Sequence, residues 1–224
     1  MKSERRHRNW LSGIIFLAVF NVHFSYCLAG NDSIYLGTQI KLDIASPVLV
    51  PAANKWQMQH YEIAANVRLA KRFYPTLELG YAGGKATQDT VSYSGQGGFF
   101  RAGCDINPLK KHPESPHALL VGVRLGTAFQ DFTQDTELSA IGTELEYLNG
   151  RMKRETGGRA DCWGEIVAGC QVEIAQVHST SFYMGWMGRF KCLFTRSEGA
   201  IYIPGFGKRD NIGWGVNYYF GWRF

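Results

Sequence analysis

The chain has 224 residues, 45% hydrophobic and 14% aromatic, with 26 glycines and a formal net charge of +5. That length suits one domain. Its basic residues form no nucleic-acid footprint, and no phosphate loop, dinucleotide fingerprint or metal spacing appears, so no nucleic-acid partner, cofactor, metal or catalytic residue is assigned.

Arg5, Arg6 and Arg8 precede an apolar run from Trp10 to about Leu28 that closes on Cys27-Leu28-Ala29-Gly30. A basic head, an apolar middle and a small-residue end make a secretory signal. Ser12, Gly13, Asn21, His23 and Ser25 dilute the run and no basic flank follows it, which argues against a membrane anchor. Residues 1–29 are therefore expected to be a cleaved signal peptide, and residues 30–224 the mature domain. Cleavage removes four Lys/Arg and one Glu and lowers the formal charge to +2.

Eight segments follow in which apolar and polar residues alternate, the period of a strand. They are 34–44, 58–69, 76–82, 99–106, 118–129, 162–174, 182–194 and 214–224. The last is the clearest: Trp214, Val216, Tyr218, Phe220, Trp222 and Phe224 share one face, with Gly215, Asn217, Tyr219, Gly221 and Arg223 on the other. Long connections are expected at 45–57, 83–98, 130–161 and 195–211, and shorter ones at 70–75, 107–117 and 175–181. No apolar run after the leader is long enough for a spanning helix. Alternating strands joined by loops of alternating length suit an exported chain that crosses the outer membrane as a barrel. The expected fold is all-β: an eight-stranded antiparallel up-and-down transmembrane β-barrel, closed because an unpaired sheet edge is not tolerated in hydrocarbon.

Charge in lipid is costly, so the charged parity is taken as inward. Lys41, Arg68, Arg101, Arg124, Arg189, Lys191 and Arg223 then oppose Asp43, Glu62, Glu78, Asp105, Glu165 and Glu173. Seven against six predicts a lumen plugged by ion pairs, with Arg68, Glu78, Arg101, Arg124, Glu165 and Arg189 as its network. Projected strand register sets Arg124, Glu165 and Arg189 in one row. An eight-stranded barrel is just wide enough for its own side chains.

Cys104, Cys162, Cys170 and Cys192 all fall on the outward parity, where cysteine serves as a small hydrophobe. Folding strands six and seven symmetrically about Val177 sets Cys162 opposite Cys192, a possible disulfide. His178-Ser179-Thr180-Ser181, near Glu173, invites a hydrolase reading but maps to a short polar turn. Loop 130–161 carries Glu137, Glu144 and Glu146, then Arg151, Lys153, Arg154 and Arg159. This segregation suits pairing across a hairpin, or lipopolysaccharide phosphates on the basic half. Ile201-Tyr202-Ile203-Pro204-Gly205-Phe206-Gly207 reads as an exposed apolar stretch that folds onto the rim or meets a partner.

The phrases Tyr74-Pro75-Thr76-Leu77-Glu78-Leu79-Gly80-Tyr81, Gly103-Cys104-Asp105-Ile106-Asn107, Gly122-Val123-Arg124-Leu125-Gly126, Trp163-Gly164-Glu165 and Ile203-Pro204-Gly205-Phe206-Gly207 are similar to those of an uncharacterised Bacteroidetes family of small outer-membrane β-barrels, a domain of unknown function. In plan the chain also resembles OmpA-like eight-strand barrels without their detached peptidoglycan-binding domain. The resemblance implies a fold and an outer-membrane address but no activity. The expectation is a non-enzymatic structural or accessory barrel of the cell envelope. Its expected partners are outer-membrane lipid, lipopolysaccharide, the β-barrel assembly machinery at the C-terminal strand, and an envelope protein at the long loops. The alternatives are a lipid-modifying enzyme, a narrow pore, and a soluble periplasmic ligand-binding barrel.

Overall fold

The computed structural model describes residues 35–47, 57–69, 72–88, 91–109, 115, 117–138, 150–195 and 200–224. The expected signal peptide lies outside them, as do Glu144 and Glu146. Eight strands close a barrel: β1 (Tyr35–Asp43), β2 (Gln57–Leu69), β3 (Phe73–Gln88), β4 (Val91–Ile106), β5 (Ala118–Leu138), β6 (Gly150–Val177), β7 (Thr180–Leu193) and β10 (Ile212–Arg223). Each pairs antiparallel with its sequence neighbour, and β1 closes on β10. A two-stranded hairpin, β8 (Tyr202–Ile203) with β9 (Gly207–Lys208), stands apart from the barrel ladder.

Four strands run further than their alternation indicates. β3 and β4 stay paired to Gln88↔Val91, so the loop expected at 83–98 is mostly strand. β5 and β6 stay paired to Leu138↔Gly150, which leaves 139–149 between them. This register sets Glu137 opposite Arg151 and Asp135 opposite Lys153, so the charge segregation of 130–161 lies across a hairpin. Stretches such as Ser94-Gly95-Gln96-Gly97-Gly98 carry no alternation to read, yet the backbone ladder needs none. At the other end the link expected at 175–181 shrinks to two residues. β6 and β7 meet at Val177↔Thr180, with His178 in the left-handed region at φ 54°.

The faces divide as expected. The outward parity is apolar and exposed: Leu79 is 55% accessible, Val123 58%, Ile166 59% and Trp214 78%. The inward parity is buried and holds the charges. Along β6 alone the lumen reads as three layers, with Trp163, Glu165 and Val167 at successive inward positions. Val167 belongs to an apolar cluster with Tyr74, Ala118, Leu120, Met187 and Tyr219 near the tight turns. Trp163 belongs to a larger one with Tyr93, Phe99, Phe132, Ile203 and Phe206 near the loops. Opposite Trp163 stands Gly126, where an added Cβ would lie 2.3 Å from the indole ring; only glycine leaves room for it.

Candidate functional site

Between the two apolar layers lies an ionic layer built by six strands. Arg101 from β4 pairs with Glu62 of β2, with Glu78 of β3 at 2.8 Å and with Glu165 of β6 at 3.2 Å. Arg189 from β7 reaches the same three carboxylates, at 3.2, 3.0 and 2.8 Å. Arg124 from β5 takes Glu78 at 3.1 Å and Asp105 at 2.7 Å. Neutral groups add further bonds. The Arg189 guanidinium donates to Asn217 Oδ1 at 2.6 Å and to the Tyr219 hydroxyl, which donates to Glu62 at 3.1 Å. Trp163 Nε1 donates to Glu165 at 2.6 Å, and Asn217 Nδ2 donates to Asp43.

Six buried basic side chains (Lys41, Arg68, Arg101, Arg124, Arg189 and Lys191) face six buried acidic ones (Asp43, Glu62, Glu78, Asp105, Asp161 and Glu165) among the described residues. Buried charge is tolerable only when so compensated. The balance belongs to the barrel interior as a whole; within this layer three arginines are shared among four carboxylates through their guanidinium forks.

The expected network members do not all meet as projected. Glu78, Arg101, Glu165 and Arg189 form one group, which Arg124 joins through Glu78. Arg68 lies apart, against Tyr74. The expected row is corrected in detail: Arg124 is opposite Glu165, but the residue opposite Glu165 on β7 is Lys191, and Arg189 reaches Glu165 diagonally from opposite Val167. A bulge between Glu173 and Ala175 and a turn centred at His178-Ser179 produce the slip.

The same slip removes the disulfide expected between Cys162 and Cys192. The register puts Gly164 opposite Cys192, both cysteines are free thiols, and Cys162 Sγ lies 3.5 Å from Thr127 Oγ1. Glu173, five residues before the His178 turn, accepts from the Tyr183 hydroxyl at 2.8 Å.

One constellation has the donor types of a metal site. Ligand atoms of Asp43, His60 and Glu62 lie within 4.8 Å of one another. The two carboxylates are already engaged. Asp43 accepts from the Ala45 and Ser46 amides, and Glu62 from Arg101, Arg189 and Tyr219. A cation there has to displace arginine from a balanced layer.

The stretch 201–207, expected to be exposed, is buried in the barrel mouth. Ile203 is 0% and Phe206 2% accessible. The β8–β9 hairpin hangs into the lumen as a finger. Phe206 meets Trp163 edge to face at 6.0 Å, and the Tyr93 hydroxyl donates to the Tyr202 carbonyl at 3.3 Å. Below the tip, Lys191 Nζ donates to the carbonyls of Gly205 at 2.7 Å and Phe206 at 3.2 Å. Gly205 has φ 74° and would carry a Cβ 2.6 Å from the Phe99 ring, so glycine is required twice over. Burial pushes the Tyr202 phenol well above its ordinary range. Asp161, Asn217, Tyr219 and the finger were absent from the sequence-derived network. Asn217 and Tyr219 do sit on the inward parity of the last strand, which was the available signal.

The family model described as Domain of unknown function (DUF6048) matches residues 12–223. No curated protein matches the chain. Among solved structures, Acinetobacter baumannii CarO2 aligns with 12% identity and a TM-score of 0.35, over 87% of this chain and 99% of that one.

Proposed function

We propose, for a chain that belongs to the Domain of unknown function (DUF6048) family, the role of a bacterial outer-membrane barrel with a sealed lumen, acting as a structural or accessory component of the envelope. The observation that carries this reading is the division of faces: an unbroken apolar exterior around a charge-compensated interior. A soluble ligand-binding barrel needs the reverse. On β5 the outward series Leu119, Val121, Val123, Leu125, Thr127 and Phe129 spans ten residue steps. At ~3.3 Å per residue and a tilt of ~40°, that is roughly 25 Å, the height of an outer-membrane apolar band. Export by cleavage within residues 1–29 belongs to the same reading.

The seal argues against conduction. Solute crossing the lumen has to pass the finger and then separate arginine–carboxylate pairs. An interaction role falls to the parts above the rim. The paired extensions of β3 to β6 form a sheet that rises beyond the belt, and the basic residues of β6 suit lipopolysaccharide phosphates or an acidic envelope partner. The aromatic C-terminal strand suits recognition by the barrel assembly machinery. No residue is proposed as catalytic.

The test is fractionation of cells expressing the full chain, followed by gel mobility with and without boiling. Outer-membrane recovery with a heat-dependent shift supports the proposal. Recovery in the soluble periplasm without a shift overturns it.

A further inference from the structure

The finger has the properties of a resident ligand. It joins no ladder of the barrel, because β8 pairs with β9 alone. Its apolar groups fill a recess walled by Tyr93, Phe99, Phe132 and Trp163, with Ala82 and Ala128 between them. The recess is blind, because the ionic layer floors it. On that floor sits Lys191, a buried cation 6% accessible, opposite Glu165 on β6 but in salt-bridge contact with no carboxylate among the described residues. Its ammonium is satisfied by two neutral carbonyl oxygens side by side at the fingertip, at 2.7 and 3.2 Å. Two oxygens presented together to an ammonium, below an apolar body, reproduce the carboxylate end of an amphiphile. A true carboxylate makes the stronger, charge-assisted bond.

We infer that this recess is a binding site for a long-chain carboxylate amphiphile, occupied by the finger in the closed state and by the ligand when the finger swings out. Lys191 takes the carboxylate, and the ring of aromatics takes the chain. The barrel wall keeps its ladder in both states. A ligand for a site occupied most of the time binds with an affinity scaled down to the open fraction, so loosening the finger strengthens binding. The inference does not depend on where in the cell the barrel resides.

The experiment uses the full barrel in phosphatidylcholine vesicles with a diazirine-bearing palmitic acid, with crosslinks mapped by mass spectrometry. Replacing residues 201–207 by Gly/Ser is expected to raise labelling of the peptides bearing Phe99, Phe132 and Trp163 at least tenfold. Adding Lys191→Met is expected to return it to the wild-type level. Unlabelled palmitate, but not the uncharged alcohol, is expected to compete. Labelling confined to the lipid-facing positions overturns the inference, as does lumen labelling indifferent to Lys191→Met. The boiling-dependent gel shift reports that each variant is folded. If the Gly/Ser replacement does not fold, Phe206→Ala loosens the finger with its backbone kept, and the same comparison with and without Lys191→Met decides.

Discussion

Replacing Arg189 with methionine removes the cation that three buried carboxylates share. Glu62, Glu78 and Glu165 each lose a partner within 3.2 Å, and Asn217 and Tyr219 lose their bonds to the guanidinium. Methionine fills much of the vacated volume, so the cost is electrostatic. Each carboxylate keeps Arg101, but the buried charges go from six against six to five against six. Breaking a buried pair from one side costs about 3–5 kcal/mol, and that is the expected loss of unfolding free energy. The assay is urea unfolding of the detergent-refolded barrel followed by tryptophan emission, with the denaturant slope expected to stay constant. Arg223→Met is the control. Its pair with Glu173 is 3.7 Å long and partly exposed, so a loss of about 1 kcal/mol or less is expected. Adding Glu78→Gln to Arg189→Met restores the balance, and the double variant should be less destabilised than the sum of the singles by about 1–3 kcal/mol. If Arg189→Met costs no more than Arg223→Met, the ionic layer is not what holds the lumen together.

The finger and the thiols give further expectations. Phe206→Ala forfeits packing of about 3–5 kcal/mol that belongs to the finger; trypsin cleavage after Lys208 or Arg209 should accelerate while the gel shift persists. Gly205→Val has neither the backbone conformation nor the space for its side chain, and should expose the same bonds. Tyr202 has a raised folded-state pKa, so docking of the finger is fully stable below the ordinary phenol value of about 10 and weakens as pH rises through the raised one. The 295 nm difference titration between wild type and Tyr202→Phe should show one phenol ionising above that range. Alkylation of the denatured, unreduced protein should label both Cys162 and Cys192.

Alternation exposes strands only where one face is apolar and the other is not. That holds inside the apolar band, and all eight barrel strands were readable there, along with the polarity of each face. Above that band the outer face of β3 to β6 turns polar while the inner face keeps only scattered buried aromatics such as Tyr93 and Phe132, so the alternation thins out and strand looks like loop. The site divides similarly. Which charges point inward follows from parity, so Glu78, Arg101, Glu165 and Arg189 could be gathered in advance. Which carboxylate meets which arginine depends on register, and register rests on the bulge near Glu173 and the two-residue turn at His178-Ser179. Neither leaves a mark in composition. The place of the finger stayed open between the rim and a partner, because an apolar heptapeptide in a loop carries no sign of direction: Ile203 and Phe206 suit a partner's surface and the barrel's own mouth equally well.

The ladder that closes the barrel is also its shortest. β1 meets β10 only from Gln39↔Arg223 to Asp43↔Tyr219, extended by the Thr38 and Ile44 amides, whereas β10 meets β7 along its whole length. Every other seam joins barrel strands that follow one another in sequence; this one joins the first to the last. A folding chain can zip seven seams between successive strands and must bring the first and last together for the eighth, where the loop-closure entropy is greatest. The cylinder is therefore sewn shut last and parts first along that line. Asn217 acts as the stitch from inside, bonding across the gap to Asp43 and Glu62. Amide exchange should accordingly begin in β1, and the hairpin of β5 and β6 should hold its protons longest.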